Sequence, residues 1–89
     1  MKNWGLQMAK YRIEFKKKVI KFLESRNRKE QERLLIEIYK LPFGSNILKM
    51  KNHKNRYRLR VGDYRIIYEK YEDKLLIIVI EADSRGDIY

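Results

Sequence analysis

The chain has 89 residues, and its 22 Lys or Arg against 12 Asp or Glu give a formal net charge of +10 at pH 7. It has no cysteine, which excludes disulfides, cysteine zinc sites, iron–sulfur clusters and thiol catalysis, and its single His53 excludes a histidine pair acting as acid and base. The longest apolar run, Leu75 to Ile80, is far short of the roughly 20 residues that cross a membrane, so we expect one cytoplasmic domain over residues 1–89 that binds a polyanion.

The first predicted elements are a strand and a helix. Between residues 11 and 15, apolar and polar side chains alternate, which predicts a short, half-buried strand. From residue 16 the apolar side chains recur at the spacing of one helix face. This change of period predicts an amphipathic helix that ends near Ser25.

A second helix is predicted to begin after Asn27. Glu30 follows Asn27 by three residues, which is the spacing of an N-cap and a carboxylate that returns a hydrogen bond. An apolar stripe follows, and Pro42 and Gly44 end the helix. Two consecutive helices joined by a few polar residues predict an antiparallel helical hairpin.

The remaining chain predicts a polar loop over residues 43–56 and then three strands. The strands are predicted at residues 57–61, 64–70 and 74–82. Gly62 and Asp63 separate the first two strands, and glycine in the first central position is what a type II′ hairpin turn requires. The predicted fold class is α+β: strand, helix, helix and a three-strand antiparallel meander. Both helices cover one face of a four-stranded twisted sheet, and the N-terminal strand joins an edge.

The two-residue turn specifies the register of the first hairpin. Arg60 is then opposite Arg65, Arg58 is opposite Ile67, and opposed residues share a face. One face is wholly apolar or aromatic and is predicted to cover the helices; it comprises Tyr57, Leu59, Val61, Tyr64, Ile66 and Tyr68. The opposite face carries the three arginines. A one-residue slip would bury them, so the register is strongly specified.

The arginine face has two interpretations. Like charges directly opposite each other cost up to about 1 kcal/mol, whereas clustered guanidinium groups suit phosphate, because each offers a planar fork of donors to two oxygens. The alternative is a solvated face whose arginines pair with acids such as Glu69, Glu81 or Asp83. Between residues 49 and 65, Lys and Arg outnumber Asp and Glu by seven to one, and this excess favours the anion site.

The last predicted strand brings another cation toward the arginine face. Closing the second hairpin with residues 70 and 75 opposite each other places Arg65 opposite Ile80, and the last segment then emerges beside the first turn. Arg85 and Tyr89 lie on that segment. Either side chain could bend over the arginine face, although a chain terminus also tends to fray.

These residues resemble the RelE/ParE toxin superfamily, and the resemblance is closer to the RelE branch. It is carried by residues 57–68 (YRLRVGDYRIIY), by residues 84–89 (SRGDIY) and by the preceding strand-helix-helix order. The similarity begins at about Lys10 and leaves residues 1–9 outside as an N-terminal extension. Arginine stands at both alternating positions of the first hairpin strand, where well-known members often have lysine.

The resemblance implies a toxin that cleaves messenger RNA in the ribosomal A site, through 2′-OH attack that leaves a 2′,3′-cyclic phosphate. The catalytic positions that match are Arg58, Arg60, Arg65, Arg85 and Tyr89. Contacts with messenger or ribosomal RNA are expected from Lys16, Lys17, Lys18, Lys21, Lys49, Lys51, Lys54 and Arg56. The first four lysines are also typical of a solvated helix face. The implied partners are a cognate acidic RelB-like antitoxin in a hetero-oligomer, the ribosome and mRNA, with no membrane, metal or cofactor; the toxin alone is expected to be monomeric.

This interpretation does not identify the general base. Arginine, with a reference pKa of roughly 12.5 or more, accepts protons poorly at neutral pH, and His53 is interpreted as a loop residue. The remaining candidates for the base are Tyr89 and the ribosome itself. Free RNA is expected to be cleaved poorly, since the ribosome would hold the substrate in line for the reaction. Two alternatives stay open: a ParE-like inhibitor of gyrase and a non-catalytic basic nucleic-acid-binding module.

Overall fold

Two helices and five strands make up residues 11–84, the part of the chain that the computed structural model describes. The elements are β1 (Arg12–Phe15), α1 (Lys17–Glu24), α2 (Arg28–Ile38), β2 (Ile47–Lys49), β3 (Arg56–Val61), β4 (Tyr64–Tyr71), a 3-10 turn (Glu72–Lys74) and β5 (Leu76–Ser84). No helix within this range is long and apolar enough to span a membrane. The α+β class predicted from the sequence is confirmed, with one strand more than expected.

The strands form a single mixed sheet in the order β1-β5-β4-β3-β2. β1 lies at one edge, as expected for the N-terminal strand, and it pairs in parallel with β5, whereas the other pairs are antiparallel. The prediction of a loop throughout residues 43–56 is wrong, because Ile47–Lys49 pairs with β3 as an edge strand. Three residues are too few for an alternating pattern to be recognised in the sequence.

Both helices are amphipathic and bury one face against the sheet. α2 begins at the predicted cap, where the Asn27 Oδ1 atom accepts a hydrogen bond of 2.8 Å from the backbone N–H of Glu30. α1 has no side-chain N-cap and is held by its apolar face instead. The core joins residues of both helices to the inward faces of β3, β4 and β5; it comprises Val19, Leu23, Leu34, Ile38, Leu41, Leu59, Val61, Ile66, Tyr68, Ile77 and Val79.

The β3–β4 hairpin has the predicted register. Leu59 pairs with Ile66, Arg60 with Arg65, and Val61 with Tyr64 across the turn. Gly62 has a φ of 59°, which is the left-handed value that the first central residue of a type II′ turn needs. The six apolar or aromatic residues predicted to face the helices belong to the core or pack against it. The arginines and Ile67 therefore lie on the sheet face turned away from the helices, which we call the outer face.

The predicted register of the β4–β5 hairpin is wrong by three residues at Arg65. The strands are joined through the 3-10 turn and Leu75, whose φ is 48°, so the closing pair is Tyr71 with Leu76. A bulge follows, because Ile67 pairs with Glu81 while Tyr68 pairs with Val79. Arg65 therefore lies opposite Asp83 instead of Ile80.

Candidate functional site

Arg58 and Arg60 of β3 and Arg65 of β4 lie together on the outer face. Arg60 is directly opposite Arg65, and its backbone N–H donates to Asn46 O at 3.1 Å, away from β4. The pair is therefore of the non-hydrogen-bonded kind, in which the Cα atoms approach to about 4.5 Å and the side chains are closest. The two-residue turn between two neighbouring strands of a five-stranded sheet thus anchors two arginines directly opposite each other on a rigid support.

Arg65 is held by an acid of the last strand. Its Nη2 atom donates to Asp83 Oδ2 at 3.0 Å, and the two side chains are 36% and 41% exposed. Such a half-exposed ion pair contributes up to about 1 kcal/mol to stability. Asp83 is one of the acids that the sequence offers as partners of the arginines, so that alternative is realised for Arg65. The contact orients the Arg65 guanidinium on the outer face.

Arg58 and Arg60 form no ion pair with any residue between 11 and 84. Arg58 is half-buried and Arg60 is exposed. A cleft of about 260 Å³, which we call the arginine cleft, opens between Arg58 and Arg65. It is also lined by Met50, Arg56, Ile67, which is only 5% exposed, and Glu81. Its wall therefore combines three cationic groups with apolar surface and one carboxylate. This arrangement suits an anion that carries apolar parts.

Arg56 is engaged differently from the three site arginines. Its Nη2 atom donates to Glu69 Oε2 at 2.9 Å, and the Tyr71 hydroxyl donates to Glu69 Oε1 at 2.8 Å. The hydrogen bonds from Arg56 and then Tyr71 lower the pKa of the Glu69 carboxyl, since both favour its charged form. Arg56 was predicted to contact RNA, and the structure places it in a partly buried network that supports the outer face.

This network should make stability depend on pH. The folded pKa of Glu69 lies below its unfolded value. The contribution of Glu69 to the free energy of unfolding is therefore complete above about pH 4.5, near the ordinary pKa of a glutamate. This contribution is lost as the pH falls through the folded pKa. We expect the thermal midpoint of Glu69→Gln to lie below that of the native chain at pH 7, with the gap narrowing towards pH 3. Thermal melts at several pH values would measure it, and a constant gap would contradict the expectation.

The other predicted RNA-contact residues fall into three places. Lys16 and Lys18 line a cleft of about 560 Å³ with Arg56 and Glu81, and these last two residues also line the arginine cleft, so the two clefts adjoin. Other predicted residues are exposed on α1 or in the loop after β2, away from these clefts; they are Lys17, Lys21 and Lys51. Lys49 and Lys54 lie together in a third cleft, at the far end of the hairpin.

Two predicted catalytic residues, Arg85 and Tyr89, lie outside the described residues. His53 is exposed in the loop before β3, as expected. Within residues 11–84, no group of three or more His, Asp or Glu side chains is close enough to hold a metal ion.

Arg33 of α2 is a residue that the sequence did not single out. Its guanidinium lies against Gly62, so that a Cβ atom at position 62 would collide with Nη2 and lie 3.0 Å from Cζ. Arg33 also faces Glu30 at 3.7 Å. The contact joins α2 to the turn that sets the spacing of Arg60 and Arg65. Nothing in the local sequence indicates it, because the two partners are brought together by the packing of helix on sheet.

Substituting Gly62 should be costly because of its backbone conformation. Gly62→Ala puts a Cβ atom at a positive φ, and alanine at a positive φ destabilises by more than about 1 kcal/mol. The Cβ atom also displaces the Arg33 guanidinium, but this is the end of a flexible side chain that is 51% exposed, so the Arg33→Ala background should lower the cost only slightly. Chemical denaturation of the two single variants and the double variant measures this coupling; perfect additivity would show that Arg33 does not constrain the turn.

The chain was compared with protein-family models, with curated proteins and with solved structures. No protein-family model matches the chain, and no curated protein matches its sequence. Among solved structures, a match to the RelB-RelE antitoxin-toxin complex from Methanococcus jannaschii has 30% identity and a TM-score of 0.68, and covers 85% of this chain and 94% of that one. The chain belongs to the RelE toxin family.

Two further solved structures are similar to this RelE-like toxin. The archaeal RelE-RelB complex from Pyrococcus horikoshii OT3 matches with 27% identity and a TM-score of 0.71, over 85% of this chain and 96% of that one. The isolated E. coli RelE toxin shares the fold, with 20% identity, a TM-score of 0.67 and 83% of each chain covered. The likeness therefore extends over nearly the whole length of the archaeal chains.

Proposed function

We propose that this RelE-like toxin is a ribosome-dependent endoribonuclease that cleaves messenger RNA in the ribosomal A site. The observation that carries the proposal is the outer-face cluster of Arg58, Arg60 and Arg65, supported on two central strands. Arg58 and Arg60 form no ion pair within residues 11–84, so their charges are available to an external anion. A fold with no anionic ligand would gain nothing from opposing Arg60 to Arg65, because like charges directly opposite each other are destabilising.

The proposed reaction is attack of a ribose 2′-oxygen on the adjacent phosphorus. The P–O bond to the 5′-oxygen breaks, the 2′-proton leaves to a base, the 5′-oxygen takes up a proton, and the product is a 2′,3′-cyclic phosphate. Negative charge grows on the phosphoryl oxygens in the transition state. Pre-placed donors such as Arg58, Arg60 and Arg65 stabilise that charge, and removal of one such donor typically costs about 3 to 4 kcal/mol. Arg85 and Tyr89 complete the proposed site.

The proposed role of the ribosome is to supply what the described residues lack. Arginine is a poor proton acceptor at neutral pH, so the base is either Tyr89 or a group of the ribosome. A ribosome that holds the 2′-oxygen in line with the departing 5′-oxygen also removes much of the entropic barrier. Cleavage of free RNA is expected to be slow in consequence.

The test is to map messenger RNA ends by primer extension in a defined translation reaction. We expect new ends inside the coding region when toxin and translating ribosomes are both present, and no new ends when ribosomes are omitted. Equal cleavage with and without ribosomes would overturn the ribosome dependence. If no cleavage occurs in either reaction although translation stops, the proposed nuclease activity is wrong.

A RelB-like antitoxin is the proposed partner that neutralises the toxin. The matched structures include RelE bound to RelB, and a chain with a net charge of +10 favours an acidic, partly disordered segment that wraps around it. The peripheral lysines at positions 16–21 and 49–54, with Arg56, are proposed to contact messenger or ribosomal RNA when the antitoxin is absent.

Toxin–antitoxin association should weaken as salt rises. Charges that attract across an exposed surface are screened within about 8 to 10 Å at physiological ionic strength, so the main effect should appear in the association rate. Surface plasmon resonance at several NaCl concentrations measures both rate constants. An affinity that did not change with ionic strength would contradict a charge-driven complex.

A further inference from the structure

A wide cleft lies at the end of the β3–β4 hairpin that is remote from Gly62, and it is built from lysines and tyrosines. Its volume is about 600 Å³. The basic and aromatic residues that line it are Lys49, Lys54, Tyr57, Lys70, Tyr71 and Lys74. Five residues of extended β4 separate Lys70 from Arg65, which corresponds to about 17 Å, so the cleft is a different place from the arginine site.

The tyrosines organise these lysines. The Tyr57 ring stacks on Tyr68, with ring centroids 5.5 Å apart and planes at 14°. Lys70 Nζ lies 4.8 Å and Lys49 Nζ 5.9 Å from the Tyr57 ring centroid, which is the distance of a cation–π contact. Two cations are thus gathered around one ring, on a support fixed by the buried Tyr68.

Lys70 is the most fixed cation of the cleft. Its side chain is 19% exposed, and Nζ lies 3.3 Å from Glu72 Oε2. Burial acts to lower the pKa of Lys70, but Glu72 and the neighbouring Tyr57 outweigh it and raise the pKa, so the amine remains charged. Lys54 and Lys74, by contrast, are exposed and form no ion pair within residues 11–84. Lys74 Nζ lies 5.7 Å from the Tyr71 ring centroid, a cation–π contact that leaves its hydrogen-bond donors to a ligand.

The cleft also offers acceptors. Glu72 and Asp73 line it beside the lysines. A nucleotide presents both kinds of partner to such a wall, because its phosphates accept from lysine while its base amino groups and 2′-OH donate to carboxylates. An acidic peptide would also place its carboxylates on the lysines, but its only regular donors are backbone N–H groups. A nucleotide has donors on its base and its 2′-OH close to every phosphate, so the mixed lining favours a polynucleotide over an acidic protein segment.

Hydrogen bonds connect the lysine–tyrosine cleft to the outer face of the sheet. Tyr71 lines the cleft, and its hydroxyl donates to Glu69, whose other oxygen binds Arg56. Arg56 in turn lines the arginine cleft. Tyr57 and Lys70 lie on the helix-facing side of the hairpin, and the arginines lie on its outer face. An RNA strand that reached both sites would therefore pass around the end of the hairpin.

We propose that this lysine–tyrosine cleft is a second RNA-binding site, which takes a backbone phosphate and its nucleotide at a distance from the cut. The inference rests on the proposed function for the identity of its ligand as RNA. It assigns to the cleft a share of binding affinity and none of the bond cleavage. Its removal should therefore lower the affinity for RNA.

The test measures binding of a short, labelled single-stranded RNA to the toxin without ribosomes, by fluorescence anisotropy, between about 50 and 200 mM NaCl. Lys54→Ala and Lys74→Ala should each weaken binding, and the slope of log K against log salt should become shallower by about 0.7, the value for removal of one phosphate neutralisation on a single strand. Lys29→Ala is the matched control, since Lys29 is exposed on α2 and lines none of the three clefts; its slope should equal that of the native chain.

The outcomes separate the two proposals. If the Lys54 and Lys74 variants have the same slope and affinity as Lys29→Ala, the second site is wrong, whatever the cleavage assay shows. If polyglutamate displaces the RNA as well as unlabelled RNA does at equal charge, the assignment to a nucleotide is wrong. A shallower slope together with absence of cleavage on ribosomes would support the binding site and contradict the proposed nuclease. Thermal melting of each variant checks that the fold is retained.

Discussion

Replacing Arg65 with alanine is expected to reduce ribosome-dependent cleavage by at least about a hundredfold. Loss of one pre-placed donor to a developing oxyanion commonly lowers the rate by about 10²- to 10³-fold, and Arg65 is the guanidinium that a protein carboxylate already orients, through Asp83 Oδ2 at 3.0 Å. The rate of appearance of mapped messenger RNA ends, at saturating ribosome concentration, measures the effect.

The fold should survive this substitution. Arg65 contributes a half-exposed ion pair worth up to about 1 kcal/mol, and its removal also relieves repulsion with Arg60 on the facing strand. Arg28→Ala is the matched control, because Arg28 is 92% exposed on α2 and pairs only weakly with Glu32 at 3.6 Å. If both variants cleave at the native rate while melting normally, the outer face is not the active surface.

The Ile66→Ala variant is expected to lose about 2 to 5 kcal/mol of unfolding free energy. Ile66 precedes Ile67 and follows Arg65 on β4, and its side chain is completely buried in the core beneath the arginine face. Truncation leaves a cavity that neighbouring side chains fill only partly. In a domain of this size the change should lower the thermal midpoint by about 8 °C or more.

Ile36→Ala provides the matched control for this effect. The same chemical change is made, but Ile36 is 56% exposed on α2, so the unfolding free energy should change by less than about 0.5 kcal/mol. Circular dichroism melts of both variants would compare them. Equal destabilisation would mean that burial, as described for β4, does not control stability at these positions.

The hairpin that carries the site was predictable because two independent signals coincided in the sequence. Gly62 selects a two-residue turn, and only the resulting register puts Leu59 and Ile66 on one face while Arg60 and Arg65 share the other. The second hairpin was not predictable in the same way. Its 3-10 turn and the bulge at Ile80 depend on how the strands twist and pack, and an apolar run such as Leu75 to Ile80 pairs equally well in several registers.

The contacts of the three arginines were also predictable only where they depend on local sequence. That Arg58, Arg60 and Arg65 share a face follows from alternation, which is a local property. That Asp83 is the acid that binds Arg65 follows from the shifted register of β5, and that Arg33 lies on Gly62 follows from helix-on-sheet packing. Both are relations between distant segments, and a single sequence carries no local signal for them.

The parallel pairing of β1 with β5 also has a kinetic consequence. Arg12 pairs with Leu76, so the first strand of the described region cannot pair until the last strand has been synthesised. Such long-range parallel pairing is slow, because the chain loses loop-closure entropy before the contacts form. A nascent chain that has not yet reached β5 lacks both the Asp83 carboxylate and the strand that covers one edge of β4. The outer face consequently takes its final shape only when synthesis of the described region is almost complete, so a toxin of this topology lacks its complete candidate site for most of its own translation.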